Sequence, residues 1–361
     1  MKNSDSVDFL EATIRKIFPQ DSEHRDLARA RLEQLTMPHW ALGDLMDLAI
    51  ELAGMTRSLQ PPVERKKVVV MAGDHGVTAE GVSKYPSEVT AQMIYNFVAG
   101  GAGINALARQ AGAEVVVVDM GTAADLDDLA ASGRILARKI AAGTRNMAHG
   151  PAMTRTHAVM AVEAGIEVAN MLAPETDLFA TGDMGIGNTT PSTAIAAVLT
   201  GRPVAELAGR GTGLDDSQLE RKIRVIERAL DINKPDPADG FDVLAKVGGF
   251  EIGGIAGLII GAASHRRPVL VDGFISTAGA LIAYRIEPFV RDYIICAHRS
   301  MEPGHAAMHE RLHHKPLLDL NMRLGEGTGA ALAMNLVEAA VAVLTEVATF
   351  EEAGVTGTPQ E

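Results

Sequence analysis

Apolar positions along the chain follow two rhythms, one of short unbroken runs and one of residues spaced three and four apart. The unbroken runs are the more telling, because a short β-branched stretch that is apolar on both faces suits a strand buried inside a parallel sheet. Lys67-Val68-Val69-Val70-Met71-Ala72-Gly73 is one such run, and others recur at Val115 to Asp119, Leu178 to Gly182, Val269 to Gly273 and Tyr293 to Ala297. Segments of helical spacing lie between them, among them Pro86 to Gln110, Pro151 to Leu172 and Gly253 to Ser264. Strands alternating with helices in this way predict an α/β fold, a doubly wound parallel sheet flanked by helices.

The two ends of the chain read differently. From Ser22 to roughly Met55 the pattern is amphipathic and helical, with Leu27, Leu32, Leu35, Leu45, Leu48 and Leu52 on the apolar side and an interruption near Pro38. The segment 328–347 is Ala-rich, poor in charge and long enough for a buried helix. Residues 1–60 and the helix 328–347 are therefore expected to share a small helical domain, with 61–327 forming the large α/β domain and 351–361 a disordered tail.

Composition narrows the function. A formal net charge of -13 argues against a nucleic-acid or anionic-membrane binder, which would need a basic surface. Any anionic ligand must meet a local site. The 36 glycines are abundant enough to need local explanations. Cys296, the single cysteine, sits in an apolar run and reads as core filler in a reducing cytoplasm. No apolar secretory segment opens the chain, and no uncharged apolar run is long enough to span a bilayer.

In a doubly wound sheet, ligands collect beyond the carboxyl ends of the strands, so the residues after each run are the place to look for chemistry. Gly185-Ile186-Gly187-Asn188-Thr189-Thr190-Pro191-Ser192 leads from a strand into a helix. Its free amides and hydroxyls suit either a phosphate cradle or an ordinary capped turn. Arg323-Leu324-Gly325-Glu326-Gly327-Thr328-Gly329 places one carboxylate among glycines before a long helix. Glu326 is either a general base or a helix cap. A helix N-terminus lowers a carboxylate pKa, so a base at neutral pH would need burial or a second carboxylate to prevail. Asp74-His75-Gly76 reads as a turn after the first strand. His149, His298, His305, His309 and His313-His314 form no zinc pattern, so no metal and no cofactor are expected. The phosphate turn has no Lys after its glycines, and the acids in Val118-Asp119-Met120 and Val271-Asp272-Gly273 are single. A donor with one phosphate therefore fits better than a pyrophosphate or nucleoside triphosphate.

Taken together and in order, six stretches resemble the nicotinate-nucleotide:dimethylbenzimidazole phosphoribosyltransferase family. They are Ala72 to Val77, Gly150 to Met153, Gly185 to Pro191, Lys246 to Glu251, Asp272 to Phe274 and Arg323 to Ala333. The resemblance implies a homodimer whose partner helps to enclose the base pocket, with small molecules as the only other partners. It implies transfer of the phosphoribosyl group of nicotinate mononucleotide to 5,6-dimethylbenzimidazole, giving α-ribazole 5-phosphate and nicotinate for the lower ligand of cobalamin. In its terms Glu326 is the base, while Gly185, Gly187, Asn188, Thr189 and Thr190 hold the donor phosphate and Ser300 is a further contact. The chain departs from the pattern at Asp183, where a glutamate is usual; Lys222 is its expected partner. Met37 to Gly43 replaces a Pro-Pro-Gly-Ser-Leu-Gly turn. Tyr85 and Met93 stand where small or amide side chains are common, and with Leu324 they bear on the choice of acceptor. Adenine, another benzimidazole or a phenol stays open as the acceptor, as does a catalytically silent paralogue that binds a nucleotide or azole.

Overall fold

The computed structural model describes residues 3–211 and 213–356, with side chains from residue 9 onward. Its parallel strands are β1 Lys66–Gly73, β2 Ala113–Gly121, β3 Leu136–Ala137, β4 Leu178–Met184, β5 Val269–Val271 and β6 Ile294–Cys296. They form a 6-stranded sheet of order β3-β2-β1-β4-β5-β6, the doubly wound parallel sheet expected from the apolar runs. The strand missing from that expectation is β3, which pairs only Leu136 and Ala137 with β2 and is too short to register as a run.

Winding reverses between β1 and β4, which opens a crevice beyond their carboxyl ends. The register sets Ala72 opposite Met184. The loops that follow are thus neighbours, with Gly185 packed against the Gly73 carbonyl and the His75 ring. Every residue of β1 is buried, as an apolar run in the middle of a parallel sheet should be.

The expected helix over 86–110 is two helices, Glu88–Ala99 and Gly103–Gln110, parted at Gly100 with a φ of 79°. The break turns the second N-terminus toward the crevice. The chain ends come together: helices Ser22–Leu32 and Asp44–Thr56 pack against Thr328–Glu346. The Arg31 guanidinium donates to the Leu344 carbonyl at 2.8 Å, and the Thr36 amide donates to the Ala348 carbonyl at 3.0 Å. By length and composition Thr328–Glu346 could cross a bilayer, but here it lies against the N-terminal helices, β4 and β5. Of the segment 351–361, expected to be disordered, the first residues belong to a helical turn, Phe350–Ala353, capped by the Thr349 hydroxyl; residues 357–361 lie outside the described residues.

One helix crossing explains several of the glycines. Helices Arg155–Leu172 and Phe250–Ser264 meet backbone to backbone, so that a Cβ at Gly165 would overlap the Gly254 carbonyl and one at Gly257 the Val162 carbonyl. Gly257→Ala should therefore lower stability by about 1–3 kcal/mol through overpacking. The effect would appear as a lower urea midpoint at unchanged slope; an unchanged midpoint would mean that the crossing is not tight.

Candidate active site

β4 carries Asp183 and Met184 to the crevice, and the chain turns through Gly185 to Asn188 into helix Thr189–Thr200. Gly187 makes the turn with a φ of 89°, in the left-handed region. The Asn188 amide group donates to Asp183 Oδ2 at 3.0 Å. Lys222, fully buried on helix Asp216–Asn233, donates to Thr189 Oγ1 at 2.8 Å and to the Gly209 carbonyl at 3.1 Å. Burial lowers the Lys222 pKa to about 8, against the opposing pull of Glu302. The expected pairing of Lys222 with Asp183 is corrected. Helix Asp216–Asn233 packs on helix Thr189–Thr200, so Lys222 meets the turn at Thr189 while Asp183 bonds Asn188.

Beside this turn lies the loop before Thr328–Glu346, where a Cβ at Gly325 would be 3.3 Å from Asp183. Glu326 is 6% exposed and has a φ of 63°, a left-handed conformation that a non-glycine residue keeps only when its surroundings impose it. Asp272, beyond the end of β5, supplies part of that constraint by accepting from the Gly327 amide at 3.1 Å and the Ala330 amide at 2.9 Å. Helix Gly103–Gln110 supplies more, since its Ile104 amide donates to Glu326 Oε2 at 3.2 Å. The competition foreseen for a carboxylate at a helix start is thereby decided. Burial raises the Glu326 pKa and the Asp272 charge adds to the rise, while the Ile104 hydrogen bond only opposes it. Asp183 is pushed further, well above its ordinary value, by burial first and then by Asp272.

The turn and the loop border a cavity of about 470 Å³. Asp183, Gly185, Asn188 and Thr189 line it together with Ser300, Leu324 and Glu326, and Tyr85 and Met93 are also in the lining. Gly187 and Thr190 shape the turn from outside the cavity, Thr190 being fully buried with no partner for its hydroxyl. Lys222 likewise stands behind the lining. Sequence inspection alone did not single out Met184, Val89, Arg323, Gly211 and Glu302, which also line it. Met184 directly follows a predicted strand and could have been found by position; Glu302 and Val89 carried no local signal. His75 and Glu251, from two motifs with no assigned role, meet as a buried pair at 2.8 Å.

A doubly wound sheet whose switch-point crevice brings a helix-opening Gly-rich turn and a buried carboxylate to one cavity has the form of an α/β enzyme with a small-molecule site. Comparison with known proteins gives the family. A family model described as Phosphoribosyltransferase matches residues 17–355. The nicotinate-nucleotide–dimethylbenzimidazole phosphoribosyltransferase of Desulfotalea psychrophila is 62% identical over 97% of this chain and 99% of its own length, and that of Syntrophotalea carbinolica is 62% identical over the same shares. The crystal structure of CobT from Thermus thermophilus is 46% identical, covers 92% of this chain and 99% of its own, and superposes with a TM-score of 0.89. The chain belongs to the nicotinate-nucleotide–dimethylbenzimidazole phosphoribosyltransferase family.

The electrostatics of the wall are open to direct measurement. In a carbon-detected NMR titration, Glu326 should titrate above the usual glutamate range, and Asp272→Asn should bring it down by removing a neighbouring charge. A Glu326 titration indifferent to Asp272→Asn would contradict the coupling.

Proposed function

We propose that this chain transfers the 5-phosphoribosyl group of nicotinate mononucleotide to a ring nitrogen of 5,6-dimethylbenzimidazole, with inversion at the anomeric carbon. The products are α-ribazole 5-phosphate and nicotinate, and the place of the reaction is assembly of the cobalamin lower ligand. The observation that carries this reading is a helix-opening turn and a buried carboxylate, Glu326, lining one cavity.

The chemistry asks little of the protein beyond positioning and one base. As the C1–N bond of the donor breaks, its electron pair returns to the pyridinium ring, which leaves as a neutral heterocycle. No acid is needed for that departure. The incoming benzimidazole nitrogen forms the new bond to C1, and the N–H proton across its ring passes to Glu326. The backbone amides of the turn and the Thr189 hydroxyl, backed by the Lys222 ammonium, hold the phosphate. Asp183 stands where the positive charge of the donor can draw it into its ionised form, and Ser300 lines the same cavity. We further propose a cytoplasmic homodimer. Tyr85 is 54% exposed and Leu324 59%, an apolar rim suited to cover by a second copy. Cys296 is buried and unpaired, which suits a reducing compartment.

Mixing the protein with nicotinate mononucleotide and 5,6-dimethylbenzimidazole should release nicotinate, measured by chromatography; no release with any azole or phenol would instead mean a silent paralogue. Glu326→Gln should lower kcat by about 10²- to 10⁴-fold, the usual contribution of a general base, with donor affinity unchanged. Because the base must be ionised, kcat in the parent should fall as pH drops through the raised Glu326 pKa, at a higher pH than an ordinary glutamate would set. Equal turnover in mutant and parent would remove Glu326 from the chemistry.

The acceptor can be tested separately. Val89, Met93, Met184 and Leu324 give the cavity apolar walls. Burying the unpaired amino group of adenine there would cost about 1–3 kcal/mol. Kinetic competition should therefore favour 5,6-dimethylbenzimidazole over adenine by about tenfold or more in kcat/KM, and equal use of the two would assign the acceptor differently.

A further inference from the structure

His305 opens helix His305–Leu312 and is fully buried, outside every motif given a role above. Its ring joins a chain of hydrogen bonds in which each proton can be assigned. The Ser300 amide lies 2.8 Å from His305 Nδ1, and a backbone N–H can only donate, so Nδ1 carries no proton. A neutral imidazole of that kind has its hydrogen on Nε2, which is 2.9 Å from Thr277 Oγ1. The Thr277 hydroxyl in turn lies 2.8 Å from the Gly273 carbonyl, which can only accept. Ser300 N–H thus donates to His305, His305 to Thr277, and Thr277 to Gly273.

This chain joins two points of the cavity lining. Gly273 follows β5, Ser300 follows β6, and both line the cavity. The connection extends beyond Ser300. Its hydroxyl accepts from the Glu302 amide at 3.3 Å, and Glu302 Oε1 accepts from the Gly211 amide at 3.0 Å. Gly211 belongs to the same loop as Gly209, whose carbonyl is held by Lys222, the residue that also holds Thr189 of the phosphate turn. A single buried imidazole therefore sits at the root of the wall that faces the donor.

We propose that His305, as the neutral Nε2–H tautomer, is a positioning residue that sets Ser300 and Glu302 for binding of nicotinate mononucleotide. The proposal rests on the reaction given above for the role, though not for the tautomer. A second proton would have to go onto Nδ1, where it would confront the Ser300 N–H. The surroundings oppose the cation as well. Burial is the main cause that holds the His305 pKa well below its ordinary value, followed by His309, His298 and Arg299. The His309 and His298 rings lie 4.1 and 6.2 Å away. Of the nearby carboxylates, Asp272 accepts from the Gly327 and Ala330 amides, and Glu302 accepts from the Gly211 amide through Oε1 while its Oε2 is buried without a hydrogen-bond partner among the described residues.

Nitrogen NMR of the whole protein with labelled histidine reads the tautomer without any substrate, so it stands or falls apart from the reaction. His305 should show an unprotonated Nδ1 and a protonated Nε2 from about pH 8 down to about pH 5; an Nδ1–H, or titration near the ordinary histidine pKa, would overturn the proposal. The role is read by Thr277→Val, which keeps the shape and removes the hydroxyl. KM for nicotinate mononucleotide should rise about tenfold, the size expected for a lost buried hydrogen bond, with kcat within about twofold of the parent. Thr277→Ser, which restores the hydroxyl, should return KM to the parent value. An unchanged KM in Thr277→Val, a loss confined to kcat, or a failure of Thr277→Ser to restore it would refute the positioning role.

Discussion

The Asp272 carboxylate, bonded to the Gly327 and Ala330 amides, fixes where Glu326 can stand. The grip joins the end of β5 to the start of Thr328–Glu346, so the sheet and the C-terminal helix are locked together at the point where chemistry is required. It also holds Glu326 in a backbone conformation that a side chain rarely adopts, with a φ of 63°. The same charge that fixes the loop raises the pKa of the carboxyl it presents. The contact thus fixes the geometry of Glu326, and its charge adds to a pKa rise whose main cause is burial.

Around that contact the protein buries more acid than it neutralises. Glu251 is answered by His75 at 2.8 Å, whose pKa burial lowers but the charge and hydrogen bond of Glu251, with Asp74, together raise above the ordinary histidine value. Asp272 is answered by backbone amides and by His298, whose Nε2 is 3.7 Å away. Asp183 and Glu326 have hydrogen bonds but no cation in contact among the described residues, and both have raised pKa values. A low-dielectric cavity with two such carboxyls favours a ligand that brings its own positive charge. A pyridinium nucleotide does so, and it gives up that charge when nicotinate leaves.

The strands and their order of use are legible because a doubly wound sheet buries its strands on both faces, which leaves unbroken apolar runs in the sequence. β3 is not legible, since two residues make no run. The turn at Gly185 to Thr190 and the loop at Glu326 stand out by their local residues, but those residues suit a capped turn and a helix cap equally well, and the family resemblance is what favours a site. The meeting of turn and loop at one cavity is tertiary, as is that of His75 with Glu251. Sequence alone pairs Lys222 with Asp183, whereas helix packing delivers it to Thr189. Spacing along a helix cannot say which end of a turn that helix will approach.

The most direct measurement is a crystal structure of the protein with α-ribazole 5-phosphate bound. The phosphate should lie on the amides of the Gly185 to Thr189 turn, with the benzimidazole nitrogen remote from the ribose within about 3 Å of a Glu326 carboxylate oxygen. A phosphate bound elsewhere, or a base ring turned away from Glu326, would contradict the account.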